Sequence, residues 1–283
     1  MQAITTKLDI QEAVQTAKES GKKVGFVPTM GALHHGHLSL IDYALEHCEL
    51  IVVSIFVNPT QFNKAQDLEK YPRTLDADMA LLASYKKNVI VYAPSANTVY
   101  NAQIQSKAYH FGALEQVMEG EHRPGHFDGV GTVLNLLFRQ VNPDKAFFGE
   151  KDFQQLMIVQ KLVQKEKLSL EIIGCPIHRQ IDGLAMSSRN ARLTDHQLAI
   201  APFIYQVLTQ VKNDFTSMSA AQLHRWVIDQ FKNAPGLELE YFEIANIVGL
   251  QSLSRKRKHQ KYRAFLAVYA GDVRLIDNIA LNY

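Results

Sequence analysis

Apolar positions along the chain alternate between two textures. Short continuous runs, such as Val24-Gly25-Phe26-Val27, residues 50–57 and Val89-Ile90-Val91-Tyr92, are separated by stretches where apolar residues recur at helical spacing, as at Leu38, Leu40, Ile41, Ala44 and Leu45. Continuous runs predict strands buried on both faces, as in a parallel sheet covered by helices. The pattern predicts a lead-in strand and a helix in residues 1–22, with Ala13, Val14 and Ala17 on one face. Strands follow at 23–27, 50–57, 88–92, 144–148 and 168–173. Helices are predicted from the turn after residue 37 to about 47, from about Leu75, over 130–140 and over 153–165. Thr74 reads as the N-cap of the Leu75 helix, with Asp76 and Asp78 at its positive end. Residues 95–122 show no clear period and read as an elaborated surface segment; residues 120–129, rich in Gly and polar groups, read as a loop. After Pro176 the texture changes. A small, polar stretch over 180–190 precedes helices near 194–211 and 219–233 and strands near 239–247, 263–269 and 273–276. The fold class is α/β, a parallel sheet with right-handed crossovers, followed by a smaller α+β segment.

Composition narrows the class. The 283 residues suffice for one large domain or two ordinary ones, and 47% hydrophobic with 20% charged residues is usual for a folded globular chain. A formal charge of +2 is too small for a general polyanion binder. Cys48 and Cys175 have no CxxC spacing, so two inert thiols in a reducing compartment are expected. The first dozen residues lack a signal-peptide core, and the 50–57 run, interrupted by Ser54, is too short to span a bilayer. A cytoplasmic enzyme with no membrane partner is the expectation. The basic run Arg255-Lys256-Arg257-Lys258-His259-Gln260-Lys261 could touch nucleic acid, but without aromatic interleaving it reads as a solvated loop, and no nucleic-acid partner is expected.

The candidate chemistry gathers where predicted strands end. Pro28-Thr29-Met30-Gly31-Ala32-Leu33-His34-His35-Gly36-His37 lies between a strand and a helix. Backbone N–H groups at a helix start attract phosphate. His34 and His37 flank Gly36 there in the HxGH pattern of nucleotidyl-transferring enzymes. In an open α/β sheet ligands bind beyond the carboxyl ends of strands, which puts Asn58 and Gln61 at the same edge. Two readings stand for Gln61: an amide for a substrate's hydroxyl and carboxylate, or a cap of its own turn. Arg123 could clamp a carboxylate or phosphate, or be an ordinary loop arginine. Lys151 follows a strand end and precedes a helix. Gln154 and Gln155 share that helix's first turn, and one of them should face the ligand.

Five stretches then occur in one order: residues 28–37; Phe56-Val57-Asn58-Pro59-Thr60-Gln61-Phe62; Arg123-Pro124-Gly125-His126-Phe127; Phe147-Phe148-Gly149-Glu150-Lys151-Asp152-Phe153-Gln154-Gln155; and Met186-Ser187-Ser188-Arg189-Asn190. Together they resemble the pantothenate synthetase family nearly end to end, and Arg274-Leu275-Ile276-Asp277-Asn278 fits it too. Residues 34–37 resemble the HIGH motif, and 186–190 the KMSKS loop, of class I aminoacyl-tRNA synthetases. The resemblance implies a Rossmann-type ATP- and pantoate-binding domain over 1–176, a smaller C-terminal domain over 177–283 closing on it, and a homodimer. The implied reaction condenses pantoate with β-alanine through pantoyl adenylate, consuming ATP with Mg²⁺ and releasing AMP and diphosphate. It further implies an ATP site of Met30, Gly31, Ala32, Leu33, His34, His35, Gly36, His37, Gly149, Glu150, Lys151, Asp152, His178, Met186, Ser187, Ser188 and Arg189. His37, His34, Lys151 and Arg189 would be its catalytic members; His35 carries no chemistry of its own, and His178 would meet adenine through backbone. Gln61, Gln155, Asn58 and Arg123 would hold pantoate, with Gln61 also near β-alanine; no protein ligand of the metal is implied. Residues 63–68 depart from the family's usual loop.

The residue types suit that reaction. A carboxylate attacking the α-phosphorus needs donors and positive charge rather than a protein nucleophile, and the chain carries no GxSxG elbow or catalytic-cysteine signature. Two other readings stand beside it: another HxGH nucleotidyltransferase that keeps the nucleotidyl group in its product, and an RNA-binding protein using residues 255–261.

Overall fold

The computed structural model describes residues 2–63, 65–101 and 103–282, and of Ala65 only the backbone. Lys64, within the 63–68 departure, lies outside them. The chain divides into two compact units: residues up to 115, 119–150 and 154–176 form the first, and 116–118, 151–153 and 177 onward the second.

The first unit carries α1 (Lys7–Glu19), β1 (Val24–Thr29), α2 (His35–Leu45), β2 (Leu50–Ile55), α3 (Ala65–Glu69), α4 (Leu75–Leu81), β3 (Val89–Tyr92), α5 (Ala96–Tyr100), α6 (Glu119–His122), α7 (His126–Val141), β4 (Lys145–Gly149), most of α8 (Phe153–Lys165) and β5 (Glu171–Cys175). Its strands form one parallel sheet in the order β3-β2-β1-β4-β5. The continuous runs in β1 and β2 are fully buried at Val24, Phe26, Val27, Ile51, Val52 and Val53, because helices cover both faces. Strand order reverses between β1 and β4, so the topological switch point lies at the carboxyl ends of these two strands.

Several expected elements change. The lead-in strand shrinks to one bridge, Ile4 to Tyr92, and Ile10 joins Val14 and Ala17 on the buried face of α1 in place of Ala13. Thr74 caps α4 by position only: its hydroxyl donates to Asp78 Oδ1 (3.2 Å) instead of accepting a helix N–H. The 95–122 segment is not merely surface, since Phe111 is fully buried and stacks on buried Tyr109. The 120–129 loop is largely helical, with α6 ending at His122 and α7 beginning at His126 after Gly125 turns the chain at φ +78°. The fifth strand shifts from 168–173 to β5.

The second unit holds α9 (Asp195–Ile200), α10 (Phe203–Asp214), α11 (Ala220–Lys232) and an antiparallel sheet of β6 (Glu238–Asn246), β7 (Tyr262–Ala270) and β8 (Val273–Leu281), in that order. The helix expected over 194–211 breaks at Pro202, which has no N–H to continue the ladder. Leu208, Val211, Phe215, Leu223 and Val227 pack with Ala264, Leu266 and Val268 to form this unit's core. In the basic run, the Lys256 ammonium donates to the carbonyls of Phe215 and Met218 and lies 4.4 Å over the Phe215 ring, closing the chain after α10. Burial lowers its pKa. Arg255, Arg257, Lys258, His259 and Lys261 are exposed.

Candidate active site

The turn after β1 is built from backbone. Thr29 Oγ1 donates to Ser54 O (2.7 Å) and accepts from Gly31 N (3.1 Å), tying the turn to β2. Gly31 and Ala32 both take positive φ, +82° and +49°. A Cβ on Gly31 would lie 3.0 Å from both Asp78 Oδ2 and Ile55 Cγ2, so glycine is needed for space as well as conformation. Asp78 reaches the turn from α4: Oδ2 accepts from Ala32 N (3.1 Å) and Oδ1 from Leu33 N (2.8 Å).

His34 is the N-cap of α2. Its Nδ1 accepts from Gly36 N (3.1 Å), while His37 Nδ1 accepts from His34 N (3.3 Å), a reciprocal capping box made of two imidazoles. The ring centroids are 4.1 Å apart. A nitrogen that accepts from an amide cannot carry a proton, so in the neutral ring the proton sits on Nε2, the atom through which each imidazole can donate. His35, between them, is exposed, and Met30, Ala32, Leu33 and Gly36 are half-buried.

At the end of β2, Asn58 is 1% exposed and engaged on both amide atoms. Its Oδ1 accepts from Tyr100 OH (2.5 Å), Thr60 Oγ1 (3.2 Å) and Thr60 N (3.4 Å); its Nδ2 donates to Gly129 O (3.2 Å) and Gln61 Oε1 (3.1 Å). Burial pushes the Tyr100 phenol up, keeping it a donor. Asn58, not Gln61, therefore caps the 3-10 turn Pro59–Gln61. The Gln61 side chain lies between Asn58 and Met30, its Nε2 3.1 Å from the Met30 sulfur. The Gln61 backbone carbonyl meets His126 Nδ1 (2.8 Å) and Arg123 (3.5 Å). Arg123 also pairs with Glu119 at 3.6 Å. The backbone of Gly129 in α7 passes so close that a Cβ there would lie 2.4 Å from Thr60 O and 2.7 Å from Gln61 Cα.

Of the two glutamines opening α8, Gln154 is buried, accepting from Glu119 N (3.0 Å) and donating to Leu114 O (2.7 Å). Gln155 is half-buried, and its side chain has no hydrogen-bond partner among the described residues. Gly149 ends β4, the strand beside β1 at the switch point, and Glu150 opens the 3-10 turn that follows; a Cβ on Gly149 would meet Leu40 of α2 at 3.9 Å.

In the second unit, the Lys151 ammonium lies 3.6 Å from Asp152, and the Lys151 carbonyl accepts from Asn278 Nδ2 (2.8 Å). His178 is exposed; its carbonyl accepts from Met186 N (3.0 Å) and Arg179 bridges Ala185, so residues 178–186 form a narrow hairpin. Ser187 caps the 3-10 turn Ser188–Arg192, accepting from Arg189 N (3.2 Å). Ser188 and Arg189 are half-buried there. Arg179 fixes the hairpin, forking onto buried Asp277 at 2.6 and 2.9 Å while its guanidinium lies 3.9 Å over the Tyr205 ring.

Residues 2–280 match the sequence profile of pantoate-beta-alanine ligase. The chain belongs to that family. The chain is 52% identical, over 282 residues and the full length of both proteins, to the pantothenate synthetase of Christiangramia forsetii. Among solved structures it is similar to the pantothenate synthetase of Thermus thermophilus (35% identical, TM-score 0.90, 99% of each chain covered). It is also similar to the pantoate-beta-alanine ligase of Francisella tularensis, determined with beta-gamma ATP and beta-alanine (36% identical, TM-score 0.82, 99% of this chain and 97% of that one).

Three members of the ligase framework escaped the sequence reading. Asp78 looked like a charge at a helix start, yet it holds the HxGH turn from 41 residues beyond His37. His126 and Tyr100 support Gln61 and Asn58 from segments read as loop and surface. Asp78 and Tyr100 carry no local signal, and His126 stands in the 123–127 stretch with no role assigned to it, because each acts through contacts distant in sequence. Cys48 and Cys175 are buried, and burial pushes their thiols up to about 11 and about 12. Among the described residues no helix is long and apolar enough to cross a membrane.

Proposed function

We propose that this chain condenses pantoate with β-alanine at the expense of ATP, giving pantothenate, a precursor of coenzyme A, through a pantoyl adenylate. The observation that carries the reading is the pair of imidazole caps at the sheet's switch point. With Nδ1 of each ring held by a backbone amide, His34 and His37 are Nε2–H donors at the start of a helix, where anions bind. Protonating either ring at Nδ1 would break its capping bond, so both act as neutral donors to phosphate oxygens. The pantoate carboxylate attacks the α-phosphorus, and the bond to the diphosphate leaving group breaks. The β-alanine amine then attacks the acyl carbon, and AMP leaves with the electrons of the anhydride bond. Preorganised donors gain as charge builds in each step.

In this reading residues 30–37, 149–152, His178 and 186–189 hold ATP, with Lys151 and Arg189 supplying charge to its phosphates. Gln61 and Gln155 hold pantoate, and Gln61 also reaches β-alanine. Asn58 and Arg123 serve the same subsite, Asn58 by orienting the Gln61 amide. Mg²⁺ would travel with the nucleotide: the donor set is imidazole, ammonium and guanidinium, and no group of three or more metal-ligating side chains lies among the described residues. Such an ion keeps much of its water and neutralises β- and γ-phosphate charge. We read the protein as cytoplasmic, as its two free thiols suggest, and as a homodimer, as the family resemblance implies; sedimentation velocity measures the oligomeric state.

The deciding experiment incubates the protein with ATP, Mg²⁺ and pantoate, with and without β-alanine. Exchange of labelled pyrophosphate into ATP should require pantoate and not β-alanine. Adding β-alanine should yield AMP and an amide. Exchange that ignores pantoate, or a product that retains the nucleotidyl group, would refute the reading.

A further inference from the structure

The C-terminal sheet of the second unit has a polar junction at Asp277 and Asn278, neighbours on β8 that face opposite sides of the sheet. Both are almost fully buried, at 4% and 2% exposure. Buried polar side chains must find partners, and theirs are specific. Asp277 takes the Arg179 fork on the helix-covered face and accepts from Asn278 N (2.7 Å). Arg179 also donates to Asn278 O (3.2 Å), so the backbone of Asn278 is gripped from that side. On the other face, Asn278 Oδ1 accepts from the Arg263 guanidinium. That guanidinium lies 4.1 Å over the Phe153 ring, and Phe153 packs on Phe265 at 6.0 Å. With its oxygen committed to Arg263, the Asn278 amide presents Nδ2 to the Lys151 carbonyl at 2.8 Å.

Residues 151–153 thus belong to the second unit because this junction and the Phe153 stack hold them there. Lys151 has a flexible stem, and an ammonium gives no directional fork of its own. Its placement rests on where its backbone is fixed. We propose that Asn278 is a positioning residue for Lys151: held by Arg263 and by the Arg179–Asp277 pair, it sets the Lys151 backbone so that the ammonium meets phosphate charge during adenylation. The proposal rests on the role given to Lys151 above.

The test is a double-mutant cycle on pantoate-dependent pyrophosphate exchange. Asn278→Asp keeps shape and the acceptor for Arg263, but replaces the N–H facing the Lys151 carbonyl with an oxygen. A misplacement on the order of 1 Å costs up to about 10²-fold, so kcat for exchange should fall roughly 10–100-fold, with KM for pantoate unchanged. Lys151→Ala should fall about 10²–10³-fold. The decisive result is the pair: if Asn278 acts through Lys151, Asn278→Asp adds nothing in the Lys151→Ala background. Losses that multiply, or normal exchange by Asn278→Asp alone, would overturn the proposal. Normal exchange by Lys151→Ala would instead overturn the role of Lys151. Thermal unfolding of each variant checks that it folds. Should Asn278→Asp not fold, Arg263→Lys, which removes the guanidinium plane from Phe153 and leaves Asn278 in place, carries the same cycle with the same expected non-additivity.

Discussion

Replacing Asp78 by alanine should damage a site whose ligands Asp78 need not touch. The carboxylate is 2% exposed and accepts the amides of Ala32 and Leu33, the two residues that lead into the His34 cap, together with the Thr74 hydroxyl. A hydrogen bond to a charged acceptor is worth about 1.5–3 kcal/mol net, so two backbone bonds would sum to roughly 3–6 kcal/mol if they were independent. They share one carboxylate, Ala32 and Leu33 are only half-buried, and removing a buried charge returns part of the loss. A destabilisation of about 2–4 kcal/mol is therefore expected. At a urea slope of about 2–3 kcal/mol/M the midpoint should fall by roughly 1 M. Ala32 sits at φ +49°, a conformation an alanine holds only when its surroundings impose it. Released, the turn should relax and misplace both imidazole caps, lowering pantoate-dependent pyrophosphate exchange by about 10–100-fold. Asp78→Asn keeps one acceptor and should lose about half as much stability. Urea unfolding followed by circular dichroism and the exchange assay measure the two effects. Early unfolding with wild-type exchange in folded Asp78→Ala would show that Asp78 stabilises the unit without shaping the site. A wild-type midpoint would refute the hydrogen-bond argument itself.

Gln155→Ala and Gln61→Ala should each weaken pantoate binding by about 1–3 kcal/mol while sparing ATP, as titration of each ligand would show; loss of ATP affinity alone would reverse the assignment. Gly129→Ala should force α7 away from the Pro59–Gln61 turn, because the new methyl meets backbone that cannot rotate aside. A stability loss of about 1–3 kcal/mol, with pantoate affinity falling more than ATP affinity, is expected from unfolding and titration. Cys48 and Cys175, with thiols pushed up to about 11 and about 12 by burial, should resist iodoacetamide in the native protein from pH 7 to 9. Both should react once the chain is unfolded in urea; fast labelling of the native protein would contradict the burial.

The elements legible in the sequence were those whose signal is local. Residues 24–27 and 50–55 are continuous apolar runs because both sides of each strand are covered, and α8 shows its period within its own 13 residues. The HxGH turn was legible for the same reason, since a capping box closes over four residues. The resemblance added an order of motifs, and with it the reaction. What stayed hidden depended on phase and distance. Gln154 and Gln155 are equivalent on a helix with no neighbours; only the packing of α8 beside residues 114 and 119 buries one and leaves the other. Asp78 looked like a helix-start charge until the fold brought α4 against the β1 turn, where burial raises the value of its hydrogen bonds. Asn278 and Lys151 lie 127 residues apart, and antiparallel pairing of β7 with β8 puts Arg263 on the same side as the amide that reaches Lys151. Residue type and local spacing determined which groups could bind phosphate and carboxylate. The tertiary structure decided which of them are held still, because a donor is fixed by the buried partners around it, and those come from elsewhere in the chain.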